Sequence, residues 1–179
     1  GFSAWGLDQS PSLIALARQR MPSAEFRCGS ILDEDLPSAC AAAAVGEVLN
    51  YATVDDPAAL MCVFQRVFRS LTPGGVFIFD LAGPGRVGAG RSFIEGEKWA
   101  VGMVATETDE ELLRKISAFR EIEEGIWHRS YEEHRLRLWL PANVTDQLRL
   151  CGYQVEQLAG YAGAMMPPSL HAYVARKPE

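Results

Sequence analysis

The sequence predicts an α/β fold, with a mostly parallel sheet covered by helices, on three observations. Predicted strands and helices alternate through the first eighty residues, which is the pattern of an α/β domain. Residues 76–81, VFIFDL, form a strand-forming apolar run with one acid near its end, as in strands buried on both faces. Residues 98–140 divide into three extended segments joined by short turns, which indicates an antiparallel meander inserted into the α/β domain.

Composition bounds the class of protein before any motif is considered. The 179 residues are 48% hydrophobic and 22% charged, which suits one globular domain with a substantial core. The net charge of −6 argues against nucleic acid as the main partner, and no apolar run approaches the ~20 residues that span a bilayer. The four cysteines show neither a CxxC pair nor metal-ligand spacing, so we expect no metal site and a reducing, cytoplasmic compartment.

The first predicted strand, residues 4–7, ends on Asp8 and passes directly into a helix. Ser10 is suited to the N-cap and Pro11 to the first helical position, and Pro22 ends the helix. A carboxylate at the end of the second strand of a doubly wound sheet can accept hydrogen bonds from both ribose hydroxyls of a nucleotide. The alternative is an ordinary strand–turn–helix in which Asp8 only starts the turn, and this stretch alone favours neither interpretation.

The next two predicted strands differ in how clearly the residues indicate them. Residues 24–28 form a short strand, and Ser30 and Ile31 follow its carboxyl end. Residues 39–49 are almost wholly apolar and rich in alanine, so that helix propensity conflicts with the context. We predict a turn of helix over residues 37–41, then a buried strand over 42–45 that Gly46 and Glu47 end.

The remaining elements of the α/β part have clear boundaries. An Asp–Pro pair at 56–57 precedes apolar residues at helical spacing, which predicts an amphipathic helix over residues 57–71. Residues 72–75, TPGG, end this helix before the apolar strand. A short helix over 143–150 and strands over 154–158 and 171–176 complete the chain.

The inserted subdomain, residues 95–140, follows a glycine-rich stretch at 83–90 that predicts a mobile loop or lid. In its last segment, period-2 alternation places His128, Ser130, Glu132 and His134 on one face. Glu132 beside His134 can form a carboxylate-oriented imidazole base. The alternative is a solvated face that carries these charges by chance.

Four stretches resemble the class I S-adenosylmethionine-dependent methyltransferases of the small-molecule kind. Residues 6–22, GLDQSPSLIALARQRMP, are similar to that family's acidic second strand and following helix, and residues 26–37, FRCGSILDEDLP, to its third strand and adenine-side loop. Residues 71–81, LTPGGVFIFDL, are the most specific match and resemble the fifth strand with the helix end before it. Residues 152–158 and 171–178 resemble the closing pair of strands, of which the last runs antiparallel.

This resemblance covers most of the chain outside the meander and implies a single domain with a Rossmann-like sheet that has helices on both faces. It implies S-adenosylmethionine as the cofactor and methyl transfer to a small-molecule acceptor. Proximity and orientation can supply much of the acceleration of such a transfer, so a fixed base is not required. Ser30 departs from the acidic residue common at its position, so that a hydroxyl would meet the adenine amine, and simple loop packing is the alternative there. On the family pattern, the cofactor would be held at its ribose by Asp8, beside its adenine by Gln9, at the adenine edge by Ser30 and Ile31, and near its methionine end by Gly46 and Glu47.

One departure from the family pattern is large. The glycine-rich first motif is absent from these residues and belongs roughly 30 residues before Asp8, at the opening of a βαβ unit. In the family, the strand of that motif sits in the middle of the sheet, so a chain without it would leave two sheet halves with unpaired edges. We therefore expect that residues have been lost upstream, with a strand supplied by a partner chain, and hence a homo-oligomer, as the alternative.

The resemblance leaves two rival functions. A nicotinamide-dependent dehydrogenase would also place an acid after the second strand, although the match at 71–81 and the closing strands favour a methyltransferase. A non-catalytic relative could use the sheet as an interaction platform. For the enzyme, we expect the acceptor between the carboxyl edge of the parallel sheet and residues 99–140, with His134 and Glu132 as the catalytic pair. No nucleic acid and no membrane partner is expected.

Overall fold

The computed structural model describes residues 3–85, 90–161 and 164–179, which form a mixed α/β fold as the sequence predicts. The first half of the chain consists of β1 (Trp5–Asp8), α1 (Pro11–Arg20), β2 (Glu25–Cys28), β3 (Ala39–Ala44), α2 (Val48–Ala52), α3 (Ala59–Ser70) and β4 (Leu71–Ala82). The second half consists of β5 (Arg91–Gly96), β6 (Trp99–Glu107), β7 (Glu111–Glu123), β8 (Ile126–Arg137), α4 (Pro141–Leu150), β9 (Gln154–Leu158), β10 (Gly160–Tyr161), β11 (Ala164–Met165) and β12 (Leu170–Arg176).

The core sheet, which we define as β3-β4-β12-β9 in that order, forms the main apolar core together with the helices α3 and α4. β3 runs parallel to β4, and β12 runs antiparallel to both β4 and β9. The course of β12 agrees with the expectation that the last strand runs antiparallel. Phe79 of β4 stacks on Phe77 and on Tyr173 of β12, and Phe64 of α3 packs against the same ring.

The β1–α1–β2 unit follows the predicted local signals. The Ser10 hydroxyl accepts a hydrogen bond from Leu13 N, and Pro11 occupies the first turn of α1. β1 and β2 pair in parallel over four residues. In the described part of the chain, β1 pairs with β2 alone and β3 with β4 alone, so each presents one edge to which a further strand can pair.

The meander, which we define as β5-β6-β7-β8, is a four-stranded antiparallel sheet. The sequence predicts only three of these strands and starts the subdomain at residue 95, inside β5. Every residue of β5 is exposed, so this strand has no apolar alternation by which it could have been found. Residues 86–89 of the predicted glycine-rich lid lie outside the described residues.

Two further local predictions differ from the structure. The predicted turn of helix over residues 37–41 is wrong, because β3 already begins at Ala39. Its ladder with β4 outweighs the helix propensity of alanine, with a register shift between Ala39 and Ala41. The helix α2, which follows β3, was not predicted, since its five residues are too few to show a periodic pattern.

Within residues 3–85, 90–161 and 164–179, no helix combines the length and the apolar character needed to cross a bilayer.

Candidate functional site

A buried carboxylate organises the turn between β3 and α2. Asp80, near the carboxyl end of β4, is 3% exposed and accepts hydrogen bonds from Gly46 N at 2.9 Å and Glu47 N at 2.6 Å. Both donors have positive φ angles, 85° at Gly46 and 63° at Glu47. The two backbone N–H groups compensate the buried charge, which holds this left-handed turn at the carboxyl edge of the parallel pair.

The same turn is tied to the meander by an ion pair. Glu47 is 7% exposed, and its carboxylate accepts two hydrogen bonds from the Arg114 guanidinium of β7, at 2.8 and 3.1 Å. Burial lowers the pKa of Arg114, but the hydrogen bond and charge of Glu47, followed by those of Tyr51, outweigh burial and raise it. Glu47, which was predicted to lie near the methionine end of a cofactor, therefore commits its carboxylate to Arg114.

Asn50 joins the end of β4 to the end of β8. Its side chain is fully buried, and Nδ2 donates to the carbonyls of Ala82 at 3.0 Å and Arg137 at 2.5 Å. Its Oδ1 accepts from Ala82 N at 2.9 Å. Sequence reasoning missed this residue, because a single amide in an apolar stretch has no pattern of its own.

The predicted pair on β8 is brought together and gains a third member. His134 Nε2 lies 2.9 Å from Glu132 Oε2, and His134 Nδ1 lies 3.2 Å from the Tyr51 hydroxyl of α2. The Tyr51 and His134 rings meet edge to face. The alternation on β8 predicted the Glu132–His134 contact, whereas Tyr51 is 83 residues away in sequence and was not predicted.

The residues predicted for the cofactor's ribose and adenine lie at the ends of β1 and β2. Asp8 is exposed, and its Oδ1 accepts from Ser10 N at 2.8 Å, which is the turn role of the alternative interpretation. The Gln9 carbonyl accepts a weak hydrogen bond from the Cys28 thiol at 3.5 Å, and Gly29 N donates to the Asp8 carbonyl. The two strand ends are therefore held side by side.

The loop after β2 is partly buried. Ser30 Oγ accepts from Leu32 N at 3.1 Å and so shapes the loop. Ile31 packs against the main apolar core, as the loop-packing alternative anticipates. Gly46, also predicted to contact the cofactor, borders open space, since a side-chain carbon added there would meet no atom within 4 Å.

A recess lies on the meander face that carries His134. It has a volume of about 420 Å³ and includes His128 and Ser130, which lie on the same face of β8 as Glu132 and His134. Trp99 and Arg120 also line it. A second hollow, of about 630 Å³, lies mainly on the opposite face beside Phe93 and Tyr131. The described residues contain no group of three or more His, Cys, Asp or Glu side chains that could hold a metal.

Comparison with known proteins shows the fold. No known protein family and no curated protein matches the sequence. A methyltransferase from Clostridium acetobutylicum, described as S-adenosylmethionine-dependent, matches 99% of this chain and 76% of its own, with a TM-score of 0.87 and 18% identity. The sugar N-methyltransferase KedS8 from a Streptoalloteichus species matches 99% and 81%, with a TM-score of 0.79 and 17% identity.

A third similar structure contains a ligand. The amino pentose methyltransferase CalS10 from Micromonospora echinaspora, solved with S-adenosylmethionine bound, matches 98% of this chain and 84% of its own, with a TM-score of 0.75 and 15% identity. Identities this low establish shared architecture rather than shared chemistry. The resemblance found in the sequence is thereby confirmed at the level of the fold, and this chain has the fold of the S-adenosylmethionine-dependent small-molecule methyltransferases.

Proposed function

We propose that this protein transfers a methyl group from S-adenosylmethionine to a small molecule. The observation that carries the proposal is the structural match over 99% of the chain, at a TM-score of 0.87, to a methyltransferase that uses this cofactor. When bound, the cofactor supplies a methyl group activated by a sulfonium. The protein's part is then to hold the cofactor, orient the acceptor and exclude water.

The residues at the strand ends fit such a cofactor in three respects. Asp8 offers an exposed carboxylate that Ser10 N orients at one oxygen, which suits two ribose hydroxyls. The Ser30 hydroxyl oxygen has two lone pairs, of which Leu32 N uses one, so it can still accept a hydrogen bond from an adenine amine. The open space at Gly46 leaves room for the methionine end. Gln9 and Ile31 would flank the adenine. Glu47 would hold the turn near the methionine end in place through its ion pair with Arg114.

The acceptor side is assigned to the meander, as a lid over the carboxyl edge of the core sheet. The Glu47–Arg114 pair and the Asn50 bridges support this placement, because they hold β7 and β8 against that edge. Within the meander, the Glu132–His134 pair is the group that can orient an acceptor or take up its proton.

Calorimetry on the full-length protein tests the proposal. We expect binding of S-adenosylmethionine and of its demethylated product, and no binding of NAD. Asp8→Ala should weaken that binding by about 1–3 kcal/mol, since it leaves the ribose hydroxyls without their acceptor. Asp109→Ala, which removes an exposed carboxylate from a meander turn, is the matched control and should bind normally.

Two results would contradict these assignments separately. Binding of NAD without binding of S-adenosylmethionine would replace the methyltransferase with the dehydrogenase alternative. Normal affinity in the Asp8→Ala protein would reduce Asp8 to a turn residue while leaving the function in place.

A further inference from the structure

We infer that Tyr51 is the side chain that meets the methyl acceptor, and that His134 and Glu132 act through it. The inference rests on the proposed function and changes its acceptor side. It follows from the hydrogen bonds of His134, from the position of α2 and from the balance of protons in methyl transfer.

Neither ring nitrogen of His134 is free to contact the methyl acceptor. A neutral imidazole carries one N–H donor and one bare nitrogen. A carboxylate only accepts, so the 2.9 Å contact with Glu132 places the proton on Nε2 and leaves Nδ1 bare. Nδ1 is then the acceptor of the 3.2 Å contact, and the Tyr51 hydroxyl is the donor. The network thus fixes the tautomer, and both nitrogens are occupied within the protein.

The Tyr51 oxygen, in contrast, keeps capacity for a further partner. Its one proton points to His134, the Arg114 guanidinium donates to one of its two lone pairs, and the other lone pair remains. The side chain is 36% exposed, so an incoming molecule can reach it. Arg114 lies beside Tyr51, and its positive charge stabilises negative charge that develops on the phenol oxygen.

The position of α2 brings Tyr51 close to the predicted methionine end of the cofactor. Tyr51 N donates to the Glu47 carbonyl at 3.3 Å, so Tyr51 stands one helical turn beyond the turn that surrounds Asp80. Glu47 and Tyr51 are four residues apart and both interact with Arg114, so they share one side of the helix. The backbone of Tyr51 is therefore about one turn of helix, roughly 5 Å, from the left-handed turn that contains Gly46 and its open space.

The proton balance defines the chemical class of the acceptor. An amine or hydroxyl that gains a methyl group must lose one proton to give a neutral product. We assign that proton to the Tyr51 oxygen, while the proton of Tyr51 moves to Nδ1 of His134. One acceptor N–H or O–H bond and the Tyr51 O–H bond break, and a new Tyr51 O–H bond and an Nδ1–H bond form. The positive charge gained by His134 is compensated by Glu132, and the ring, one-third exposed, returns the proton to solvent. The acceptor is thus an amine or alcohol that carries a proton, and Tyr51 is its first contact.

The first test needs no substrate. ¹⁵N NMR of the His134 ring in the full-length protein, at about pH 9 where imidazoles are neutral, reports which nitrogen carries the proton. We expect the Nε2–H tautomer to predominate, with a signal that is identified by its loss in His134→Asn. Tyr51→Phe should change the Nδ1 chemical shift without changing the tautomer, and Glu132→Ala should reduce the Nε2–H population. A predominant Nδ1–H tautomer would overturn the inference, since Tyr51 could not then donate.

The second test measures turnover with glucosamine and galactosamine as probe acceptors and S-adenosylmethionine as donor. Tyr51→Phe should lower kcat about 100-fold and leave the KM for S-adenosylmethionine unchanged. Tyr51→Phe combined with His134→Asn should lose no more than Tyr51→Phe alone, because both belong to one relay. Tyr131→Phe is the control, because its hydroxyl lies on the other face of β8 and bonds to Glu133.

The outcomes separate the inference from the function on which it rests. Normal turnover in Tyr51→Phe, or losses that multiply in the double variant, would overturn the role of Tyr51 in an active enzyme. Binding of S-adenosylmethionine without methylation of either probe would overturn amino sugars as acceptors, and the tautomer measurement would still decide the arrangement. Failure to bind S-adenosylmethionine would count against the function itself.

Discussion

The chain contains two four-stranded sheets that are held together in different ways. In the core sheet, β4 and β12 are largely buried, and aromatic rings from both strands stack on one another. In the meander, large apolar side chains remain exposed on the strands, among them Phe93 at 62% and Trp127 at 46%. The core sheet is therefore stabilised by side-chain packing, and the meander mainly by its backbone ladder.

In the part of the chain that the structure describes, the buried contact of the meander with the core sheet lies at one end of the meander. Leu112 and Leu136 are almost fully buried where β7 and β8 meet the core sheet. β7 is 13 residues long, roughly 40 Å when extended, so its far end projects well beyond that contact. The difference indicates that stability resides in the core sheet, while the residues that we propose for the acceptor side, Tyr51, Glu132 and His134, lie near the end of the meander that meets it.

The largest expected effect comes from removing a ring of the core sheet. Phe79 is fully buried, with the rings of Phe77, Tyr173 and Phe64 at 4.6, 5.0 and 5.3 Å. Phe79→Ala should lower the free energy of unfolding by about 3–5 kcal/mol, through lost burial and the cavity left behind. Phe93→Ala, the matched change on β5, should stay within about 0.5 kcal/mol. Urea unfolding curves measure both losses. Comparable losses would mean that the Phe93 ring is also buried against other side chains.

The two sheets also differ in how far the sequence predicts them. β4 is buried on both faces for most of its length, so its apolar run alone identifies it. β5 faces solvent at all six positions, so its strand character depends on pairing with β6, which no local pattern records. β3 has the composition of a helix, and only the ladder offered by β4 makes it a strand.

The candidate site divides in the same way. Glu132 and His134 are two residues apart on one strand, so alternation alone predicts that they meet. The partners Tyr51 and Arg114 come from α2 and β7, and their contacts exist only after the meander has docked on the core sheet. Asp80 was anticipated as an acid at a strand end, whereas its bonds to two backbone N–H groups depend on the left-handed turn at residues 46–47.

A smaller effect is expected from the ion pair that joins the two sheets. Arg114→Ala removes the guanidinium that pairs with the Glu47 carboxylate, which is 7% exposed, and this should cost about 3 kcal/mol of unfolding free energy. Arg135→Ala is the matched control on β8. Its side chain is half exposed and pairs with Asp55 and Glu111, so its loss should cost less than about 1 kcal/mol. Equal losses in the two variants would show that the Glu47–Arg114 pair is as accessible to solvent as the surface pairs of Arg135.

The smallest expected effect is a pH dependence that belongs to the core sheet. His171 lies on β12, and Gln157 of the neighbouring β9 contributes a hydrogen bond at 3.1 Å to its Nδ1. Burial lowers the pKa of His171 below its usual value of 6.5. The folded protein therefore resists protonation that the unfolded chain accepts, and the unfolded state binds more protons as the pH falls below about 6.5. The stability that the neutral ring supports is present above that pH and is lost as the pH decreases towards the pKa of the folded state.

Urea unfolding at pH values between 7.5 and 5 should show this decrease in the wild type and a flatter dependence in His171→Asn. Gln157→Ala separates the cause, since it removes the hydrogen bond but keeps the ring buried. If burial is responsible, Gln157→Ala keeps the wild-type dependence, and a flattened curve in that variant would assign the effect to the hydrogen bond across the sheet instead.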